Sequence, residues 1–304
     1  MSRGGPIGRG GPGKPARKGS RPAGPKKPPL RIMTTTLWEY PSQHYGDSIQ
    51  GDKNYTGATP SWVIWQLLQR YTKPKQLVVD PMCGSGTTLD VARDLGRRAL
   101  GYDVASHTRR SDIFNADARS LPLEDEKADF VFVDPPYSTH VDYSNDPRCI
   151  GKLDAGGDDG GAAYYDAMRA TIAEIDRVLK PGRHMALYVS DSFRKGQPFM
   201  PIGFELFAIL REHFEAVDTI AVVRHNEKLQ RGNFHKAAEE ENFFLRGFNY
   251  LFIMRKPDAG TKPVRKAPSK RADKPSGPGP GRVGGRGKPG GKPGIKRGGK
   301  RPKR

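Results

Sequence analysis

Runs of consecutive apolar residues alternate with amphipathic stretches along the middle of the chain. Such runs are typical of strands buried on both faces of a parallel sheet; together with shorter apolar segments they predict strands at 77–80, 98–103, 112–115, 130–133, 184–189, 217–223 and 247–255. Between them, apolar residues repeat every three or four positions, which predicts helices at 58–71, 87–95, 162–180 and 202–213. Alternating strands and helices predict an α/β domain.

A glycine-rich turn joins the first of these strands to the helix after it. The stretch runs Asp80-Pro81-Met82-Cys83-Gly84-Ser85-Gly86-Thr87-Thr88. Its glycines allow a tight turn and a close approach to a ligand, and the first crossover of an open α/β sheet is a common nucleotide site. A phosphate-binding loop would need a Lys before the Thr, and Leu89 stands where a dinucleotide fingerprint has its third glycine. The loop therefore favours a cationic nucleoside without phosphate, such as S-adenosylmethionine.

A second motif, Asp134-Pro135-Pro136-Tyr137, follows the buried strand at 130–133. In this order, the glycine loop and the second motif resemble the amino-methyltransferases, which methylate exocyclic amines of adenine, cytosine or guanine in DNA or RNA. The first motif is most similar to that of the N4-cytosine/N6-adenine DNA methylases. The resemblance covers roughly residues 56–256. It implies a Rossmann-like methyltransferase fold, in which a seven-stranded, mostly parallel sheet has helices on both faces and an antiparallel last strand.

The resemblance also implies how the cofactor S-adenosylmethionine is held. Asp103 ends the second strand, 17 residues beyond Gly86, where an acid can accept both ribose hydroxyls; a plain surface position at a strand end is the alternative. Asp117 would accept from the adenine amine, and Asp80 would lie near the ammonium group. The helix that follows Thr59, its expected N-cap, would hold the methionine end. The predicted cofactor-binding residues are Thr59, Asp80, Pro81, Met82, Cys83, Gly84, Ser85, Gly86, Thr87, Thr88, Asp103 and Asp117.

The second motif is predicted to carry out the methyl transfer. An exocyclic amine is a poor nucleophile because its lone pair is delocalised into the ring. Asp134 and the carbonyl of Pro135 can accept the amine hydrogens, while the prolines stiffen that carbonyl. Tyr137 offers a flat face for a base flipped out of its helix. We therefore predict that Asp134, Pro135, Pro136 and Tyr137 are catalytic and that no metal is needed, because positioning and electrostatics suffice. A simple turn is the alternative.

Composition places the charge outside this region. The chain has 304 residues, of which 37 are Gly and 27 are Pro, and a net charge of +19. Residues 1–30 contain eight Lys or Arg and no acid, and residues 257–304 contain sixteen against two acids. We predict a methyltransferase domain at 31–256 between two disordered basic tails. The tails either improve solubility or grip phosphates without reading sequence; we favour the second role.

Other features exclude several classes of protein. No run of eighteen apolar residues and no apolar signal region occur, which predicts a soluble cytoplasmic protein without a membrane partner. Cys83 and Cys149 lack a CxxC spacing, which indicates a reducing compartment and argues against structural zinc. Neither follows a proline, as the nucleophile of a C5-cytosine methylase typically does, so covalent catalysis is not expected.

Three segments and one residue leave their roles open. The aromatic stretch at 31–57 either lines a substrate cleft or packs over the sheet edge, and we favour packing. The polar stretch at 138–161 is interpreted as a mobile lid over the target base. The charged stretch at 224–243 is either a phosphate-contacting loop or a plain hairpin connection. Asp191, after the fifth strand, has no assigned role.

The favoured hypothesis is a methyltransferase that acts on nucleic acid. DNA is favoured over RNA because the residues of the glycine loop resemble those of DNA methylases. Adenine N6 is favoured over cytosine N4 because the second motif begins with Asp rather than Ser. An rRNA or tRNA base amino-methyltransferase is the first alternative, since basic tails are common on RNA-associated proteins. A non-catalytic nucleic-acid-binding protein on a decayed methylase fold is the second. The sequence does not predict an oligomeric state.

Overall fold

Eight strands make one sheet in the computed structural model, which describes residues 1, 27–105, 110–194, 198–225, 229 and 231–260. In chain order the strands are β1 Leu37–Trp38, β2 Leu77–Asp80, β3 Arg98–Asp103, β4 Ile113–Asn115, β5 Ala128–Val133, β6 Leu179–Val189, β7 Glu215–Val223 and β8 Phe248–Arg255. Their order across the sheet is β1-β7-β8-β6-β5-β2-β3-β4. All the pairs are parallel except those that β8 makes with β6 and β7.

The prediction of a mostly parallel α/β sheet with an antiparallel last strand is confirmed, but the strand number is wrong by one. The additional strand, β1, contains only Leu37 and Trp38, which pair with Ala221 and Val222 of β7. A two-residue strand has too few positions to show a periodic pattern. Trp38 is 2% exposed, so burial of its large ring holds this short segment at the sheet edge.

Five helices and two short 3₁₀ turns connect the strands of the described part. The helices are α1 Ser61–Tyr71, α2 Thr87–Asp94, α3 Ala162–Val178, α4 Ile202–His213 and α5 Gly232–Glu240, and the turns are Ser138–His140 and Ile150–Lys152. Four helices match the sequence prediction, whereas α5 lies in the stretch interpreted as a loop. No residue of α5 is fully buried; its half-buried residues are Phe234, Ala237 and Ala238, an apolar face of little more than one turn.

Alternation along the strands gives the sheet two hydrophobic faces. Val79 and Val131 lie in a cluster with apolar residues of α3 and α4, whereas their neighbours Val78 and Phe130 lie in a cluster with residues of α1 and α2. Side chains of successive strand residues point to opposite faces, so helices must cover both. The helices packed on both faces hold the ends of the strands in fixed positions.

The sheet changes direction between β2 and β5. From β2 the chain proceeds through β3 to β4 on one side, and from β5 it proceeds to β6 on the other. Open α/β sheets bind their ligands at such a switch point, beyond the carboxyl ends of the strands. Here β2 ends at Asp80, and β5 ends one residue before Asp134. The fold therefore brings the glycine loop and the second motif side by side.

Most of the two predicted tails, residues 2–26 and 261–304, lies outside the described residues. Just inside the predicted boundary, the carbonyl of Pro28 accepts a hydrogen bond of 2.8 Å from the Tyr40 hydroxyl, and Leu30 packs partly against the α1 side of the core. Within the described ranges, the structure has no helix with the length and apolarity that a membrane span requires.

Candidate active site

A cavity of about 950 Å³ opens at the switch point. Most residues predicted for the cofactor and for catalysis line it: Thr59, Asp80, Pro81, Met82, Cys83, Gly84, Ser85, Thr87, Thr88, Asp103, Asp117, Asp134, Pro136 and Tyr137. The two that do not line it are Gly86, which is the N-cap of α2, and Pro135, which is buried. The structure thus brings the two sets together around one space.

The glycine loop leaves no room for larger residues. Gly84 has φ +49°, and a Cβ atom there would lie 2.8 Å from the ring of Tyr55. Gly86 has φ +81°, and its Cβ would lie 2.7 Å from the guanidinium carbon of Arg110. Both positions combine a left-handed backbone with close packing, so only glycine fits without strain. The backbone of the loop therefore forms part of the cavity wall.

Asp80 lies at the floor of this loop and is 3% exposed. Its Oδ2 accepts a 2.5 Å hydrogen bond from the Thr88 hydroxyl, and its Oδ1 accepts one of 3.1 Å from the Met82 N–H. Burial raises the pKa of Asp80 to about 7, although both hydrogen bonds oppose this rise. A buried carboxylate of this kind gains most from a cationic partner.

The other two acids predicted to bind the cofactor are already held by the protein. Asp103 accepts hydrogen bonds of 2.9 Å from the N–H groups of Gly84 and Ala105, one on each carboxylate oxygen. Asp117 pairs with Arg119, whose guanidinium lies 2.6 Å from its Oδ2. The carboxylate of Asp103 is thus fixed at the loop.

The remaining side chains of the glycine loop make contacts with other protein residues. The Ser85 and Thr87 hydroxyls lie 2.7 Å apart, and the carbonyl of Ser85 accepts from the Asp52 N–H at 2.8 Å. Cys83 packs against Gly101, where a Cβ would lie 2.6 Å from its sulfur. Burial raises the pKa of the Cys83 thiol, as expected for a packing residue rather than a nucleophile.

Asp134 is the centre of the second motif. Its Oδ2 accepts a hydrogen bond from the Thr59 hydroxyl, and its Oδ1 accepts one of 2.6 Å from the Tyr137 hydroxyl. Burial raises the pKa of Asp134 to about 7; the hydrogen bonds from Thr59 and Tyr137 and the charge of Arg224 oppose the rise. Thr59 is not the helix N-cap, since α1 begins at Ser61 with Pro60 before it. Its side chain instead ties the helix entry to Asp134.

The chain after Tyr137 is fixed by a polar network. Ser138 is fully buried and has φ +65°, an uncommon conformation for a residue with a side chain. Its hydroxyl donates to Asp154 Oδ1 at 3.0 Å and accepts from the Ala155 N–H at 3.0 Å and from Arg194 at 2.9 Å. This network joins the first residue of the 138–161 stretch to Asp154 and Ala155 within it and to Arg194 outside it. Its role as a lid stays a prediction.

Sequence reasoning did not single out Asn249 of β8. Asn249 is 5% exposed and lines the cavity, and its Nδ2 lies 3.3 Å from the Tyr137 hydroxyl. Its Oδ1 has no hydrogen-bond partner among the residues that the structure describes. A buried acceptor without a partner is costly and therefore marks a ligand position. An amide inside the otherwise apolar run Phe248–Arg255 was the available signal.

Two questions left open by the sequence have structural answers. Within the stretch at 31–57, Trp38 and Tyr40 are packed in the core, whereas Tyr55 lines the cavity beside Tyr143, with ring centroids 6.4 Å apart. Both interpretations of this stretch therefore hold for different residues. Asp191 accepts hydrogen bonds from the Gly203 N–H at 2.9 Å and from the Tyr250 hydroxyl at 3.1 Å, which ties the end of β6 to α4 and β8.

These residues fit the predicted cofactor. The loop offers close backbone approach without a phosphate-binding Lys, Asp80 is a buried acid suited to an ammonium group, and Asp103 presents a carboxylate beside the loop. The comparison with known proteins agrees: residues 16–113 and 128–282 match the DNA methylase family. The chain belongs to this family. Family membership confirms the predicted S-adenosylmethionine cofactor and the Rossmann-like fold.

Individual relatives in this family resemble only part of the chain. The type II methyltransferase M.HindIII of Haemophilus influenzae is 36% identical over 74 residues, which are 24% of this chain and 22% of that protein. The type II methyltransferase M1.MboII of Moraxella bovis is 31% identical over 71 residues, which are 22% of this chain and 27% of that protein. The chain thus matches about a quarter of the length of these curated relatives.

Solved structures with a similar arrangement include TrmN from Thermus thermophilus. It is 18% identical with a TM-score of 0.41, covering 66% of this chain and 50% of TrmN. A SAM-dependent methyltransferase from Methanosarcina mazei is 15% identical with a TM-score of 0.40, covering 63% of this chain and 97% of that one.

Proposed function

We propose that the protein is an S-adenosylmethionine-dependent methyltransferase that modifies an exocyclic amine of a base in DNA. The observation that supports this most is the environment of Asp134. Its carboxyl group has a pKa raised to about 7, and it lines the same cavity as the glycine loop. A carboxylate beside a nucleoside pocket is the group that an exocyclic amine requires as an acceptor.

The chain's own residues position the amine and handle its proton. Asp134 would accept one amine hydrogen, and the Pro135 carbonyl would accept the other, which concentrates the lone pair on nitrogen. A carboxylate whose pKa lies near neutrality is suited to take the proton that the methylated amine releases. Tyr137, held by Asp134 and near Asn249, would stack on the base. When bound, the cofactor supplies an electrophilic methyl group.

The cofactor residues would divide their work by chemistry. Burial raises the pKa of Asp80 to about 7, and an ammonium group bound beside it would lower that pKa and stabilise the ionised carboxylate. Asp103 would accept the ribose hydroxyls from its fixed position beside Gly84. Asp117, which already accepts hydrogen bonds from Arg119, would also accept one from the adenine amine.

For the polymer we propose DNA, because membership in the DNA methylase family and the wording of the glycine loop both support it. For the base we propose adenine N6 ahead of cytosine N4, because the second motif begins with Asp134 rather than with a Ser. The basic segments at 1–30 and 257–304 would add contacts to phosphates without sequence preference.

Methyl transfer from labelled S-adenosylmethionine tests this proposal. Purified full-length protein is incubated with genomic DNA, rRNA or tRNA, and the methylated nucleosides are identified by mass spectrometry. N6-methyladenine in DNA is the expected product. Label in RNA alone would overturn the choice of polymer, and nucleic-acid binding without any transfer would favour the non-catalytic alternative.

A further inference from the structure

One side of the cavity mouth is built from phenylalanines and an arginine. Phe193 follows β6, and Phe243, Phe244 and Arg246 precede β8; all four line the cavity. Phe199 lies next to them, with its ring centroid 5.2 Å from the Arg246 guanidinium. These five residues are called the aromatic rim below.

The rings of the aromatic rim are ordered by contacts with one another. Phe193 and Phe243 are stacked, with centroids 5.2 Å apart and planes at 18°. Arg246 donates to the Phe244 carbonyl at 2.9 Å. Two separate chain segments thus meet to present flat surfaces at the mouth, as a stacking platform requires.

Exposure of the aromatic rim indicates that it contacts a ligand. Phe244 is 78% exposed and Phe199 is 47% exposed. Large apolar side chains grouped on a surface mark interaction sites, because leaving them in water forgoes their burial. Phe193, Phe243 and Phe244 line the same cavity as Asp134, so these rings are within reach of the nucleotides next to a base that enters it.

Charge indicates what kind of ligand it is. Arg246 Nε is buried and has no hydrogen-bond partner among the residues that the structure describes. A buried guanidinium N–H without an acceptor is costly, and a phosphate oxygen is the acceptor that suits it best. Arg224 lines the same cavity and adds a second positive charge. Flat apolar rings next to arginines are the features that bind unpaired nucleotides.

We propose that the aromatic rim binds an unpaired polynucleotide strand beside the target base, with a flanking base stacked on Phe244 and a phosphate on Arg246. This inference rests on the proposed function and narrows its substrate class. In a duplex a flanking base is held in place by its pairing partner and by stacking. A flanking base in a duplex stays paired and stacked on its other neighbour even when the target base leaves the helix, whereas an unpaired base can turn its face onto Phe244, so the rim gives a preference for single-stranded or locally open substrate.

Binding of labelled oligonucleotides tests the proposal. Fluorescence anisotropy compares single-stranded DNA, RNA of the same sequence and duplex DNA at one salt concentration, using full-length protein. Wild-type protein should bind the single strands more tightly than the duplex, and DNA more tightly than RNA if DNA is the substrate. Phe244→Ala should weaken single-strand binding at least about fivefold, as expected for one lost base stack, and leave duplex binding unchanged. Phe244→Trp should retain tight binding.

Phe114→Ala is the matched control. Phe114 lies on β4 at the far edge of the sheet and is 51% exposed, yet it does not line the cavity. Its replacement should change neither single-strand nor duplex binding. Equal losses for Phe114→Ala and Phe244→Ala, or losses by Phe244→Ala that are the same on duplex and single strand, would overturn the proposal.

Methyl transfer measured on the same samples separates this inference from the proposed function. If wild-type protein methylates DNA and Phe244→Ala binds single strands normally, the rim assignment is wrong and the proposed function stands. If the binding results are as expected and no polymer is methylated, the rim assignment stands and the proposed function is wrong.

Discussion

The Thr59 hydroxyl offers a direct way to change the acidity of the proposed catalytic carboxylate. Thr59 donates to Asp134 Oδ2, and burial raises the pKa of Asp134 to about 7 against this hydrogen bond. Thr59→Val removes the donor but keeps the branched shape. The ionised form of Asp134 is the better acceptor for an amine, so activity should rise with pH through the pKa of this group, and the substitution should move that rise to higher pH.

The size of the change follows from the hydrogen bond. A hydrogen bond to a charged group contributes about 1.5–3 kcal/mol, and a tenfold change in acidity corresponds to about 1.4 kcal/mol. Losing the Thr59 donor should therefore move the midpoint of the pH profile upward by about one to two pH units. At neutral pH the ionised fraction would fall from about half to roughly a tenth or less, and the rate with it.

The assay is kcat/KM for methyl transfer between about pH 6 and pH 9, where such a group titrates in the free enzyme. Thr59→Val should regain most of its activity at the alkaline end, and Thr59→Ser should keep the wild-type midpoint. An unchanged midpoint with activity reduced at every pH would refute the reasoning. Loss of cofactor affinity in that case would assign Thr59 to the cofactor, as the sequence predicts.

Three other predictions concern the acids and the charged segments. Asp134→Ala should abolish methyl transfer and leave cofactor binding within about a few-fold, whereas Asp103→Ala should weaken cofactor binding first, as measured by calorimetry. Asp80→Asn should bind the cofactor more weakly but unfold less readily in urea. The pKa of Asp80 rises from 3.8 to about 7 on folding, so the free energy of unfolding of the wild-type protein falls as pH rises through this interval. The variant should therefore be more stable than wild type by up to about 4 kcal/mol above this interval and equally stable below it. Greater stability of the variant at acid pH alone would contradict this. Deleting 2–26 and 261–304 should lower DNA affinity and flatten its salt dependence; unchanged affinity would show that the rest of the chain binds alone.

The sequence predicts the buried strands and the two motifs well because both depend on local chemistry. Residues 77–79 and 130–133 are continuous apolar runs within β2 and β5, and a parallel sheet follows from the alternation of strands with helices. The glycine loop is recognisable because the left-handed backbone at Gly84 and Gly86 favours glycine locally, although the close packing against Tyr55 and Arg110 is not visible in the sequence. Such features are readable without knowledge of tertiary contacts.

The remaining features depend on contacts between distant parts of the chain. Thr59 has the residue type and position of an N-cap, yet its hydroxyl reaches Asp134, 75 residues away. Gly232–Glu240 forms a helix with no fully buried residue, and its apolar face of Phe234, Ala237 and Ala238 spans little more than one turn, which is too short to predict a helix. Phe193 and Phe243 stack only because β6 and β8 are neighbours in the sheet. Their roles appear only once the fold is known.

The position of β8 has a consequence for the order in which the protein folds. This strand comes last in the described sequence but lies between β6 and β7, and it carries Asn249 into the cavity. During synthesis β2, which ends at Asp80, and β5, which ends just before Asp134, emerge before β6 and β7 and can pair with each other, and β6 and β7 then wait with open edges. Only arrival of the last strand closes both edges, so the cofactor half can assemble before the chain is able to hold a base.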